Sequence, residues 1–148
     1  MQSKTVKNQK PFNDSHGPII VDRFTLELAR SINGLLVEPI SVLPNAEGDV
    51  VRPFKIGIGP EIKARLKPDT PGVQLNRVLH RYTRSAAYLL ACAQSDALRH
   101  DIAGNPVEPV SDLDRLSARN GFRAMRARIK QRRTEREAQE TGATSSTG

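Results

Sequence analysis

From Thr70 to Gln94 the chain carries two interleaved periodicities that a helix satisfies at once. At 100° per residue, Leu75, Val78, Leu79, Tyr82, Ala86, Leu89 and Leu90 fall on one face, and Arg77, Arg81, Arg84 and Tyr88 fall together on the opposite one. Thr70 is a good cap and Pro71 fits a first helical position, so the pattern predicts one helix over 70–94. The three arginines are spaced i, i+4 and i+7, with His80 flanking their stripe. Such a row repels itself by roughly a few tenths of a kcal/mol per pair. A row of cations ending in an aromatic ring suits an anionic ligand: charge for phosphates, a flat ring for a base or ribose. The competing reading is a solvated face with Tyr88 lying over the helix surface.

Charge bears on that choice. The 148 residues have a formal net charge of +7 and a pI near 10.1, which points to nucleic acid, to an anionic membrane surface, or to a merely solvated basic exterior. No run of about 18 apolar residues predicts a membrane span, and the polar N-terminus lacks the apolar core of a secretory signal. A cytoplasmic protein without a membrane partner is expected. The single cysteine, Cys92, closes the apolar stretch Ala87–Cys92 and reads as a small packed hydrophobe in a reducing compartment.

The flanks complete one domain over residues 18–136, between a disordered arm at 1–17 and a disordered tail at 137–148. Phe24, Leu28 and Ile32 predict a helix closed by Asn33-Gly34. Leu35–Val37 and Ile40–Leu43 read as short extended pieces broken by Pro39 and Pro44, with a turn at 45–49. A helix should open at Pro60-Glu61 and end before Pro68. Arg99–Val107 predicts two short strands joined at Gly104-Asn105. Ser111 then caps a last helix with an acidic first turn. Leu113, Leu116, Phe122, Met125 and Ile129 are expected to face the protein, beside a long series of arginines that includes Arg123.

Catalytic chemistry is missing. Gly57-Ile58-Gly59 is followed by Pro60 and by no Lys-Ser/Thr, so it is not a phosphate loop. His16, His80 and His100 have no cysteine or carboxylate at ligand spacing. Neither an enzymatic activity, a metal, a cofactor nor a small-molecule substrate is expected.

Three blocks carry a family resemblance: Lys55–Ile58, Leu79-His80-Arg81-Tyr82-Thr83-Arg84-Ser85-Ala86-Ala87-Tyr88-Leu89, and Arg99-His100-Asp101-Ile102-Ala103-Gly104-Asn105-Pro106. Together they resemble the ProQ/FinO domain of bacterial RNA chaperones over about residues 52–130. The resemblance implies a mostly α fold with a small β-hairpin (α+β), a compact single domain with a basic C-terminal helix. It implies binding of RNA hairpins that end in a single-stranded, U-rich 3′ tail, in post-transcriptional regulation by small or antisense RNAs. By motif position Tyr88 and Arg99 look like residues of a pocket for the 3′ nucleotide, and Lys55 like a basic contact. His80 sits where one branch carries a basic residue, and Thr70-Pro71-Gly72-Val73 resembles the helix start that presents backbone N–H groups to phosphates, chemistry that any helix N-terminus favours. With Arg77, Arg81, Arg84 and Arg123, these residues (Thr70 and Gly72 included) form the expected RNA-contact set of a monomer. The chain departs from the pattern in its proline-broken residues 18–50 and in carrying the weak cation His80 and the uncharged Asn76 where the family's usual choices are stronger cations. Two other readings remain: an accessory protein of plasmid or phage type that docks a protein partner, and nonspecific nucleic-acid binding through the C-terminal helix alone.

Overall fold

The structure is a computed structural model that describes residues 17–147, with side chains as far as Thr141. Apart from its last residue, the arm expected at 1–17 lies outside the described residues. Helix α1 spans Arg23–Gly34 and buries one stripe, Thr25, Leu26, Leu28, Ala29 and Ile32, while Phe24 stands off it, half exposed. The helix ends at Asn33-Gly34 as its sequence implies. There the Asn33 Oδ1 accepts a hydrogen bond from the Ile40 N–H at 2.9 Å and ties down the following loop.

Of the two pieces expected to be extended, only the first is paired as such, and only at Leu36. Leu36 makes a single bridge to Leu66, and Ile40–Leu43 closes as a turn through the Leu43 N–H on the Ile40 carbonyl. Prolines at 39 and 44 remove the donors a ladder needs, yet Leu36, Ile40, Val42 and Leu43 are all buried and supply core without regular structure. Helix α2 spans Ile58–Lys63. It starts two residues before Pro60 because Gly57, at φ 85°, takes the left-handed conformation and turns the chain into the helix.

Helix α3 spans Gly72–Thr83, and Pro71, not Thr70, is its N-cap. The Thr70 backbone is committed elsewhere. Its N–H donates to the Lys67 carbonyl at 3.2 Å, closing a turn with Pro68 second and Asp69 third at φ 67°. Positive φ at the third position is what a type II turn demands.

The single helix predicted over 70–94 is two. The α3 ladder stops at Thr83, and Ser85 starts helix α4, Ala86–Ala93. Ser85 Oγ donates to the Tyr82 carbonyl at 2.7 Å and accepts from the Tyr88 N–H at 3.3 Å, closing one helix and capping the next. A wheel drawn through both therefore loses its phase after Ser85 and misplaces Tyr88.

Strands β1, Leu98–His100, and β2, Pro106–Pro109, form an antiparallel hairpin with Arg99 opposite Glu108. Asp101 organises its loop: Oδ1 accepts from the N–H groups of Ala103 and Asn105, both at 3.0 Å. Gly104, at φ 88°, lies so close to Ser41 that a Cβ would stand 3.4 Å from that carbonyl oxygen. Residues 53–55 run along the free edge of β1: the His100 N–H donates to Pro53 O and the Lys55 N–H to His100 O, each at 2.8 Å.

Helix α5 spans Asp112–Thr147 and starts as expected, with the Asp114 N–H on Ser111 Oγ at 3.1 Å. Its packed face differs from expectation. Ala118 is buried and Phe122 and Met125 half-buried, whereas Leu113, Leu116 and Ile129 are exposed. Small residues let α5 approach α4 closely; the Gly121 position lies against the Leu89 methyl groups. The helix continues past Arg136, where the sequence placed the start of a tail. Among the described residues, five helices and one hairpin make the fold mostly α with a small β element.

Candidate nucleic-acid interface

The break at Ser85 turns Tyr88 away from the arginine row and into the core. Phe54, Tyr82 and Tyr88 form a three-ring knot with centroids 5.3–5.6 Å apart, Phe54 stacked on Tyr82 and tilted to Tyr88. Only 7% of Tyr88 is exposed, so the expectation of an exposed ring in line with Arg84 is not met. Its hydroxyl accepts the Phe54 N–H at 2.8 Å and shares a hydrogen bond with the Cys92 side chain one turn on. Burial pushes the Tyr82 and Tyr88 hydroxyls far above the ordinary phenol range and the buried Cys92 thiol up to about 11, so all three stay protonated.

Arg99 binds the other side of Phe54. Its Nη1 donates to the Phe54 carbonyl at 2.9 Å, and its Nη2 pairs with Asp114 Oδ2 at 2.8 Å on the first turn of α5. Lys55, the next residue, pairs with Glu61 on α2. Three of the expected contact residues, Lys55, Tyr88 and Arg99, thus converge on one backbone position, each already partnered. A guanidinium has five N–H donors, so Arg99 keeps capacity beyond these two bonds.

A second group lies on α3. Arg77, His80, Arg81 and Arg84 are all exposed, and the sequence has no acid between Asp69 and Asp96. The Arg81 guanidinium lies 6.0 Å from the Phe24 ring centroid and roofs that half-exposed residue. Arg84 Nη1 approaches His80 Nε2 at 3.3 Å; arginine only donates, so His80 accepts there and does not act as a cation in this contact.

At the other end of α3, Thr70 and Gly72 flank a helix start with no side-chain cap. The Lys63 side chain reaches this corner: its Cε would be 3.1 Å, and its Nζ 3.6 Å, from a Cβ placed on Gly72. Sequence reasoning missed Lys63, whose only local signal was its place in the last turn of α2. It also missed Asp114 and Glu61 as partners, since pairings across elements leave no periodic trace. Arg123 is exposed on α5.

Among the described residues no group of three or more His, Cys, Asp or Glu side chains could hold a metal ion, and no helix is long and apolar enough to cross a membrane.

The sequence pattern of the ProQ/FINO family matches residues 29–138, well over half of the chain. Among solved structures, the chain is similar to a ProQ homologue from Legionella pneumophila determined by NMR, with 26% identity over 74% of this chain and 90% of the other, at a TM-score of 0.49. It is also similar to a crystal structure of a FinO-like RNA chaperone from Neisseria meningitidis, with 21% identity over 71% of this chain and 88% of the other, at a TM-score of 0.47.

Proposed function

The chain belongs to the ProQ/FINO family, and from that premise we propose that it binds structured RNA, taking hairpins with a single-stranded 3′ tail in regulation by small or antisense RNAs. The observation that carries the reading is the α3 face: Arg77, Arg81 and Arg84 exposed in succession on a segment without acids. Phosphates spaced along a stem suit such a row. The corner of Thr70, Gly72 and Lys63 adds backbone donors at a positive helix end beside an ammonium group. The 3′ nucleotide meets the seam at Phe54. There Tyr88 holds the backbone from within, while Lys55 and Arg99 exchange carboxylate partners for a phosphate.

The test compares one hairpin with and without its 3′ tail, bound to the wild type and to an Arg77→Ala, Arg81→Ala, Arg84→Ala protein. We expect the wild type to prefer the tailed hairpin at least tenfold. The triple variant should bind both more weakly, with a log–log salt slope reduced by about 2, since each lost phosphate contact removes roughly 0.7–0.9. A folded triple variant that binds with unchanged slope refutes the α3 assignment, and a wild type indifferent to the tail refutes the 3′-end reading.

A further inference from the structure

The basic excess of this chain sits in one place. Residues 119–136 hold eight Lys or Arg against a single acid, Glu135, which equals the whole formal charge of +7. Residues 17–118 hold twelve Lys or Arg and twelve Asp or Glu, so the packed body is electrically neutral. Most of the charged segment is the part of α5 that leaves the body: from Arg126 to Thr141 every residue is exposed.

The charges are also ordered. Arg119, Arg123, Arg126, Lys130 and Arg133 follow one another at i, i+4, i+7, i+11 and i+14. At 100° per residue they fall within an arc of about 80°, forming a stripe about 21 Å long at 1.5 Å per residue. Ala118, Phe122 and Met125, the side that packs on the body, lie on a neighbouring arc, so the stripe runs beside the body instead of into it. Arg126, Lys130 and Arg133 line one shallow depression together. Five cations in a row repel one another, and past Met125 they cover no core that would offset the cost. A duplex presents one phosphate per strand for roughly each 3.4 Å of axis, so a stripe of this length spans about six base-pair steps. A straight, rigid row fits a backbone of fixed spacing, which a base-paired stem has and a loose single strand has not.

We propose that the distal half of α5 is a second RNA surface that lies along the phosphate backbone of a stem, distinct from the α3 and Phe54 surfaces. This rests on the RNA reading above and adds a division of labour to it. The projecting helix supplies charge-driven, sequence-independent affinity and encounter rate. The net-neutral body adds the α3 phosphate contacts and supplies the selectivity.

The experiment uses the full chain with Arg126→Gln, Lys130→Gln and Arg133→Gln together, and a charge-conserving control, Arg126→Lys with Arg133→Lys. Hairpins with short and long stems but the same 3′ tail are the probes, and circular dichroism checks the helix. We expect the glutamine variant to lose about 2 from the salt slope and at least tenfold in affinity for the long stem. Its preference for tailed over untailed hairpins should stay, and the lysine control should match the wild type. An unchanged slope, an equal loss for short and long stems, or loss of the tail preference overturns the proposal. So does binding of anionic phospholipid vesicles that depends on these residues while RNA binding does not. A wild type whose RNA binding ignores salt instead defeats the RNA reading itself.

Discussion

Tyr88 and Arg84 are four residues apart, and the structure puts them to opposite uses. Tyr88 belongs to a knot in which its own polar atoms are committed: its hydroxyl to the Phe54 N–H and Cys92, with Arg99 held by the Phe54 carbonyl and Asp114. Arg84 belongs to a face that touches little beyond its own helix. In the knot a side chain fixes geometry and so should register in stability. On the face it offers charge, and should register in affinity. Residues that a sequence motif groups as one site can therefore fail in two different ways, and a binding assay alone does not tell them apart.

The largest effect separates the two regions. Tyr88→Ala removes a buried ring and leaves the Phe54 N–H without its acceptor. Deleting a buried aromatic costs about 3–5 kcal/mol, a large share of the 5–15 kcal/mol typical of a whole domain. Tyr88→Phe keeps the ring and strands only the buried N–H, for about 1–3 kcal/mol. Arg77→Ala, a surface change, should stay within about 0.5 kcal/mol. Urea unfolding measures all three. If Tyr88→Ala kept the wild-type midpoint and lost only RNA, the ring would be a ligand contact and the comparison would collapse.

The same division explains what was legible in the sequence. The end of α1 at Asn33-Gly34, the Ser111 cap, the hairpin and a buried Cys92 were readable because each depends on local chemistry or on a short apolar run. The arginine row was readable as far as Arg84. Beyond it the helical wheel failed, because Ala86–Ala93 is helical in its own right and a wheel carries its phase across a break. The signal was present in Thr83-Arg84-Ser85, where a serine ahead of an apolar run can cap a new helix. Leu113 and Leu116 misled for a related reason. Hydrophobicity argued for burial, but close approach between α4 and α5 selects the small residues Ala118 and Gly121. The links from Phe54 to Tyr88 and Arg99 span 34 and 45 residues, and no periodicity reports them.

A smaller effect sharpens the boundary between the knot and α5. Gly121 is helical, and an added Cβ would meet Leu89 Cδ1 and Cδ2 at 3.6 and 3.8 Å, ordinary contact distances. Gly121→Ala should therefore gain up to about 1 kcal/mol through helix propensity, raising the unfolding midpoint without changing RNA affinity. Destabilisation would mean that α5 sits closer to α4 than this geometry allows, and that the seam beside the knot is as tightly specified as the knot.

The smallest expected effect is titration of His100, at the edge of the knot, where Nδ1 lies 3.4 Å from the Pro53 carbonyl oxygen. Burial and the nearby Arg52 hold its pKa below the usual imidazole value, against the Pro53 and Leu98 backbone and Asp101, which favour the proton. The folded protein therefore takes up this proton at lower pH than the unfolded chain does. As pH falls through the ordinary histidine range near 6.5, the unfolded state gains protons first and stability declines. The decline levels off once the folded-state value is passed. Because His100 is only half-buried, the change in melting temperature should be smaller than that from Gly121→Ala. Melting curves between about pH 7.5 and about pH 5.5 should slope less in His100→Gln than in the wild type. An equal slope would assign the pH dependence to other groups. A His100→Gln protein with wild-type melting at every pH but altered RNA affinity would move His100 out of the knot and onto the binding face.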